Sequence, residues 1–239
     1  MKWTCPIAVL VSILAGCGQA AHRLSAHDQR PELSESLFKG DTEVLDNETI
    51  EQILSSKVVL PAEARIVVLN FGGQRWRRWW SEEVSQLDQA ALDGFVEKVK
   101  ACDRVGEAFV LPSMLAPERQ TVPHLRMAAA RCQADLIFLY RSTSEVYHKQ
   151  RLLARDKARS YCLVEAVLLD TRTGIVRFTS TVVKSITSVK SKGDFNLTET
   201  VRKAELEALA EALVEVADEL VAFLDAVPAR QDEPGDEGR

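Results

Sequence analysis

The sequence predicts an α/β domain on a mixed sheet, in which a parallel core continues into an antiparallel hairpin and helices flank the strands. Apolar, strand-like runs alternate with helical patterns from residue 64 to 141, which is typical of strand–helix–strand units with parallel strands. Residues 161–183 instead alternate apolar and polar side chains around the turn sequence DTRTG. This pattern indicates an antiparallel hairpin with one solvent-exposed face. Of 239 residues, 46% are hydrophobic, enough for one globular domain with polar ends.

Three short apolar runs predict the strands of the parallel part. ARIVVLNF, residues 64–71, is apolar on both faces, which is typical of a strand at the centre of a sheet. EAFVLP, residues 107–112, predicts a second strand that Pro112 ends or confines to an edge. ADLIFLYR, residues 134–141, is again apolar on both faces and predicts the third strand.

Helical patterns precede and separate these strands. Asp46 and Asn47 are suited to cap a short first helix. Ser81-Glu82-Glu83 is typical of a helix amino terminus and predicts the start of a second helix. The serine hydroxyl can cap the helix, and the two carboxylates are stabilised at the positive end of its dipole. The buried stripe of that helix is expected at Val84, Leu87, Ala91, Phe95 and Val99. VPHLRMAAARC, residues 122–132, predicts the third helix.

The second half of the domain predicts two strands and a long helix. YCLVEAVLLD, residues 161–170, and IVRFTSTVV, residues 175–183, form the expected hairpin. The preceding residues 142–160 predict a polar, basic loop, either a solvated connection or a contact for an acidic partner, phospholipid headgroups or the cell wall. A helix is expected from about residue 198 to 224. Its apolar positions are Leu206, Leu209, Leu213, Val216, Leu220 and Leu224.

The order of these elements and their amino-acid sequences resemble a known domain family. ARIVVLNF, RVGEAFVLPS, CQADLIFLYRS and VEAVLLDTRTGIVRFTST, with the intervening and closing helices, are similar to the anticodon-binding-like α/β domain of the TolB amino-terminal region. The same domain occurs in curli-secretion lipoproteins and in lipoprotein activators of penicillin-binding proteins. The resemblance covers about residues 62–224, and its best motif is AVLLDTRTG. It implies a periplasmic, non-enzymatic module that binds envelope proteins, and it carries over no catalytic residue.

The amino-terminal residues predict a lipoprotein signal. Lys2 precedes an apolar run, residues 7–14, which is too short to span a bilayer. The run ends in Leu-Ala-Gly-Cys, which resembles the lipobox of bacterial lipoproteins, so that Cys17 would carry the lipid, including palmitate. The alternatives are an ordinary signal peptide with a chance cysteine, or an uncleaved anchor. Gly18, where an aspartate would favour inner-membrane retention, favours the outer membrane facing the periplasm.

These observations divide the chain into four parts. Residues 1–16 are the expected signal peptide, and residues 17–40 a lipidated flexible tether. Residues 41–227 form the single α/β domain, and residues 228–239 a disordered acidic tail rich in Pro and Gly. The lipid would anchor the chain without a membrane-spanning segment, because two acyl chains suffice for stable attachment.

Three cysteines remain in the expected domain. Cys102 and Cys132 both end helices that precede strands of one sheet, so the sequence predicts a disulfide between them. Cys162 lies on the apolar face of a strand and is expected to be a buried free thiol. The alternative is that all three are reduced core residues.

The segment FGGQRWRRWW, residues 71–80, holds three of the four tryptophans beside three arginines, directly after the first strand. Trp and Arg dominate interface hot spots, and loops at the carboxyl ends of α/β strands commonly face ligands. The alternative is a cover over the hydrophobic core. Nucleic acid is not an expected partner, because the chain is acidic, with a net charge of −5, and is expected to be exported. The predicted partner-binding residues are Arg75, Trp76, Arg77, Arg78, Trp79 and Trp80.

No motif predicts catalysis, a metal site or a cofactor site. The sequence has no Gly-x-Ser-x-Gly elbow, phosphate-binding glycine loop, His-Glu-x-x-His motif or paired-cysteine spacing. The expected function is therefore a lipid-anchored, non-catalytic interaction module that regulates or assembles an envelope machine, for example in peptidoglycan synthesis, secretion or the flagellum. Its expected partners are the membrane, through lipid on Cys17, and an envelope protein. The alternatives are a self-assembling pore subunit and an enzyme with an unrecognised site.

Overall fold

The computed structural model describes residues 36–38, 45–72, 82–149, 157–189 and 197–230. The predicted signal peptide and most of the predicted tether lie outside these ranges. The helices are α1 (Asn47–Ser55), α2 (Glu82–Lys100), α3 (Val122–Arg131) and α4 (Leu197–Ala226), with a 3₁₀ turn at Ser113–Leu115. The strands are β1 (Ala64–Asn70), β2 (Val105–Val110), β3 (Leu136–Lys149), β4 (Lys157–Asp170) and β5 (Val176–Val189). Among the described residues, no helix is long and apolar enough to cross a membrane.

The strands form one mixed sheet in the order β2-β1-β3-β4-β5. β1 is parallel to both β2 and β3, whereas β3, β4 and β5 pair antiparallel. The predicted parallel core with an antiparallel hairpin is therefore confirmed. The run that is apolar on both faces, ARIVVLN, lies between two neighbours as predicted, and the strand before Pro112 lies at the edge.

Two hydrophobic cores lie on opposite faces of the sheet. On one face, α2 and α4 pack against side chains such as Ile66 and Val68 of β1. On the other face, α3 covers Val67 and Leu69 of the same strand. The reason is topological, because both crossovers are right-handed and β2 and β3 lie on opposite sides of β1. The first crossover helix therefore covers one face and the second covers the other.

The antiparallel strands are longer than the sequence predicts. Residues 142–160 were expected to be a loop, but β3 continues to Lys149 and β4 already begins at Lys157. β5 likewise continues beyond the predicted end to Val189. The prediction of a loop is wrong for residues 142–149 and 157–160, which are held by backbone pairing between neighbouring strands although they lack an apolar run. In the extension of β3, for example, Ser142 pairs with Val164 and Ser144 with Cys162. Residues 150–156 lie outside the described residues.

The predicted Cys102–Cys132 disulfide is absent, since all three described cysteines are free. Cys102 is buried in the core beneath α2 and α4, whereas Cys132 packs against the core on the α3 face. The sheet separates them, because the two helices that they end cover opposite faces. The Cys102 thiol instead lies 3.4 Å from Oδ1 of Asp225, and burial raises the pKa of this thiol. Cys162 is buried and free, as predicted.

The end of α4 ties the chain back to the segment before β1. The backbone N–H of Leu60 donates to the carbonyl of Pro228 at 3.2 Å, and Leu60 forms a parallel bridge with Ala229. Residues 228–230, which were expected to belong to the disordered tail, are therefore part of the fold. Residues 231–239 lie outside the described residues.

A buried ion pair holds the DTRTG turn between β4 and β5. Oδ1 of Asp170 accepts hydrogen bonds from the backbone N–H groups of Arg172 and Thr173 at 2.8 and 3.1 Å. Its Oδ2 lies 3.3 Å from Nη2 of Arg177, and both side chains are only 6% exposed. Arg177 is the extra residue of a β-bulge, since Leu168 pairs with Phe178 and Leu169 with Val176. Gly174, at φ +76°, completes the turn, where its positive φ favours glycine.

Replacing Asp170 with alanine is expected to lower the free energy of unfolding by about 3–5 kcal/mol, because the guanidinium of Arg177 would remain buried without its counter-charge. The matched control is Arg172→Ala, which removes a mostly exposed side chain from the same turn and should cost less than about 1 kcal/mol. Urea unfolding of both variants measures the difference. Equal losses would contradict the structural role of the buried pair.

Candidate functional site

The carboxyl ends of β1 and β2 form the switch point of the sheet. From β1 the chain leaves towards α2 on one face, and from β2 it leaves towards α3 on the other. Parallel α/β sheets place ligand-facing loops at such a point, because the departing chains open a crevice between them. The segment that holds the clustered Trp and Arg residues starts here, immediately after β1.

The beginning of this segment is fixed by backbone hydrogen bonds. The N–H of Phe71 donates to the carbonyl of Tyr140 at 2.7 Å, and the N–H of Gly72 donates to Oε1 of Gln120 at 2.8 Å. Gly72 has a φ of +70°, a conformation that a residue with a Cβ rarely adopts. On the other side of β1, the N–H of Leu111 donates to the carbonyl of Val68 at 2.9 Å. The chain therefore leaves β1 in a defined direction.

Tyr140 lies beneath this exit point in the core between the sheet and α2. Its ring stacks on Phe138 with a centroid distance of 6.5 Å, and the side chain is buried. Burial raises the pKa of the Tyr140 hydroxyl, and the negative charge of Asp88 on α2 raises it further. A hydrogen bond with the Asn70 side chain acts in the opposite direction but does not outweigh burial. The hydroxyl is therefore a structural group that is neutral at physiological pH.

Several charged side chains around this end of the sheet are paired. Arg202 of α4 reaches Glu205 at 3.0 Å and Asp88 at 3.8 Å, which links α4 to α2. On the opposite face, Arg141 pairs with Glu165. In the part of the chain that the structure describes, no cluster of His, Cys, Asp and Glu side chains could hold a metal ion. The ion pairs thus fix the positions of these side chains at this end of the sheet.

The residues predicted to bind a partner all lie outside the described ranges. These are Arg75, Trp76, Arg77, Arg78, Trp79 and Trp80, and the predicted lipidation site Cys17 also lies outside. The structure describes the point from which the segment departs, at Phe71 and Gly72. Cys102 and Cys132, the remaining predicted pair, lie on opposite faces of the sheet.

Sequence reasoning missed Gln120 and Asn70 as residues that shape this exit. Gln120 lies before α3 and is separated from Gly72 by 48 positions, so no local pattern connects them. A signal for Asn70 does exist, because it is the polar residue that directly follows a run buried on both faces. Such residues often lie at the ligand-facing edge of a parallel sheet.

The sequence matches no protein-family model and no curated protein. Similar solved structures include PelC from Paraburkholderia phytofirmans, described as a dodecamer, at 12% identity over 74% of this chain and 96% of that chain, with a TM-score of 0.36. Lipoprotein GNA1162 from Neisseria meningitidis is 15% identical over 66% of this chain and 98% of that chain, with a TM-score of 0.29. A minor lipoprotein from Acinetobacter baumannii is 10% identical over 72% and 99%, with a TM-score of 0.27. These similarities are too weak to carry a functional conclusion.

Replacing Tyr140 with phenylalanine is expected to change how stability depends on pH. Because the folded-state pKa of Tyr140 is raised, its favourable contribution is present below pH ~10, where the unfolded chain begins to ionise, and is lost as the pH rises further. At neutral pH the variant should be less stable by about 1 kcal/mol, since it lacks the hydrogen bond with Asn70. Above pH ~10 the gap to the wild type should narrow.

Urea unfolding at a series of pH values measures this gap. Tyr161→Phe, which changes an exposed ring on β4, is the control and should keep the alkaline loss of the wild type. A Tyr140→Phe variant whose stability falls in parallel with that of the wild type would contradict the expected role of Tyr140.

Proposed function

We propose that this chain is a lipid-anchored, non-catalytic interaction module of the bacterial cell envelope that docks on another envelope protein through residues 73–80. The observation that carries the proposal is the fixed departure of this Trp- and Arg-rich segment from the switch point of the sheet. Hydrogen bonds to Phe71 and Gly72 hold its start, so its side chains begin from a preorganised base. Preorganisation lowers the entropy lost on binding, which suits aromatic and arginine anchors.

The described charges also support a binding role. Arg202 pairs with both Asp88 and Glu205 near the switch point, and burial raises the pKa of the Tyr140 hydroxyl. In this proposal the module acts by contact, with these ion pairs holding α2 and α4 together beside the docking segment. The order of helices and strands supports the proposed resemblance to the TolB amino-terminal domain, whose relatives are envelope interaction modules.

The proposed anchor is lipid on Cys17, at the end of the Leu-Ala-Gly-Cys motif. The residues that follow, up to about residue 40, are the proposed flexible tether between the lipid and the domain. A coil of that length spans roughly 25 Å and lets the domain reach partners away from the outer-membrane surface, on its periplasmic side. Attachment through two or three acyl chains keeps the module at the membrane without a spanning helix.

Replacing Cys17 with serine is expected to abolish lipid attachment, because the thiol is the proposed acceptor. In cells that are fed an alkyne analogue of palmitate, the wild type should take up the label and sediment with the outer membrane. The Cys17→Ser variant should do neither. The control is Cys5→Ser, which lies in the predicted signal peptide and should leave labelling unchanged. Labelling of the Cys17→Ser variant would contradict the proposal.

Replacing Arg77 and Trp79 together with alanine should weaken partner binding by about tenfold or more while leaving thermal stability nearly unchanged. A photoreactive residue at Gln74 in the lipidated full chain identifies the partner by crosslinking in cells, and the yield of that one adduct is the readout. The matched control is Met114→Ala/Arg119→Ala, which also removes an exposed apolar and an exposed basic side chain near the switch point. Loss of folding in the first variant would instead show that the segment covers the core.

A further inference from the structure

The outer edge of β5 is a long strand edge without a partner in the described part of the chain. β5 pairs with β4 along its length, from Val176 opposite Leu169 to Val189 opposite Lys157, and it ends the sheet. The other edge strand, β2, has 6 residues and is followed by Leu111 and Pro112, whereas β5 has 14 residues. An unpaired edge presents N–H and C=O groups that can pair with another strand.

The bulge at Arg177 protects only the start of β5, and from Phe178 onward the strand pairs with β4 without a bulge. It contains no proline, and its charged side chains are Arg177 and Lys184. Arg177 is buried in the ion pair with Asp170, and Lys184 is bound to Glu215 of α4. The side chains on the face of β5 that α4 does not cover are exposed and uncharged, and Val183 among them is 61% exposed. That set is Thr179, Thr181, Val183, Ser185 and Thr187.

On the other face, α4 places a row of glutamates along the same edge. Glu219 accepts a hydrogen bond from the Ser180 hydroxyl at 2.6 Å, and Glu215 bonds to Lys184. Glu211 follows one turn further along and is exposed. The hydrogen bond to Glu215, with the charges of Glu215 and Glu211, raises the pKa of Lys184. Among the described side chains, the row therefore holds three carboxylates and Lys184 supplies one positive charge, so these groups have an acidic excess.

We propose that the outer edge of β5 is a docking site for an extended, basic segment of a partner protein, which adds to the sheet as a sixth strand. Backbone hydrogen bonds to β5 would hold the segment, as in other cases of strand addition. Its lysine or arginine side chains, at every second position, would face the row Glu211, Glu215 and Glu219.

The spacings of the two elements agree with this arrangement. Glutamates four residues apart on a helix are separated by about 6 Å along its axis. Alternate side chains of a strand are separated by about 6.7 Å. Along β5 the contacts run in the same direction as the row, because Ser180 meets Glu219, and Lys184, two alternate positions further, lies near both Glu215 and Glu211. Each basic side chain of an added strand could thus reach one carboxylate.

A second copy of this chain fits the edge less well. Antiparallel pairing of β5 with β5 of another copy would bring the two acidic rows towards each other across the junction. Like charges at such an interface oppose association. The acidic row therefore selects a basic segment over a second copy. This inference does not depend on the lipid anchor or on residues 73–80, which follow β1 in the sequence.

The test uses the purified full chain in detergent and a fluorescent peptide of about ten residues in which lysine alternates with threonine and valine. We expect saturable binding with added hydrogen-exchange protection of the β5 amides. The variant Glu211→Lys/Glu219→Lys should bind about tenfold more weakly or worse. The charge-matched control Asp93→Lys/Glu97→Lys, on the exposed face of α2, should retain at least half of the wild-type affinity. If the double variant fails to fold, the single variant Glu211→Lys replaces it, because it changes no hydrogen bond of the described residues. It should also bind the peptide more weakly than the wild type.

Two further probes separate strand addition from general charge attraction. Two peptides are N-methylated at every second residue, one at the odd and one at the even positions. Each keeps its charge but loses the backbone N–H donors along one of its two edges. The peptide that loses the donors facing β5 should fail to bind, and the other should bind. A peptide with glutamate in place of lysine should also fail. Equal binding of both methylated peptides, equal weakening by the α2 control, protection outside β5, or self-association of the chain through β5 would each overturn the proposal.

Discussion

The fold depends on one constraint, which is that β1 and β3 must be apolar on both faces. Each of the two crossover helices covers a different face of the sheet, so a polar side chain on either face of β1 would be buried without a partner. Val67 and Leu69 meet α3, whereas Ile66 and Val68 meet α2 and α4. The same constraint creates the switch point at the carboxyl ends of β1 and β2, because the chain leaves them in opposite directions. The exit of the Trp- and Arg-rich segment therefore follows from how the two cores share one strand.

This constraint explains which features the sequence could predict. Strands buried on both faces produce unbroken apolar runs, so β1 and the first part of β3 were recognised. The extensions of β3, β4 and β5 were not, because exposed strands that are held by backbone pairing leave no apolar run. The Cys102–Cys132 disulfide was predicted because both residues end helices before parallel strands. That reasoning placed the helix ends on the same end of the sheet, but it did not consider that successive crossovers here cover opposite faces.

The candidate surfaces were predictable only in part. The Arg and Trp cluster is visible as composition, and its position in the sequence after a buried strand predicts a ligand-facing edge. Contacts such as Gly72 with Gln120 join residues far apart in sequence, and only the fold brings them together. The acidic row of α4 could not be recognised as a binding feature from the sequence either, because glutamates at positions 211, 215 and 219 are typical of an ordinary solvent-exposed helix face. Their relation to the unpaired edge of β5 exists only once α4 is packed across the sheet.

The two proposed surfaces use different chemistry at different borders of the sheet. At the carboxyl end of β1, aromatic and guanidinium side chains would supply desolvated anchors whose strength changes little with salt. At β5, backbone pairing would supply the affinity and the exposed carboxylates the choice of partner, so binding there should weaken as salt screens the charges. β3 and β4 separate β1 from β5, which puts about 14 Å between the two strands. A segment added to β5 would therefore leave the exit from β1 open, and one module on a lipid tether could hold two partners at once.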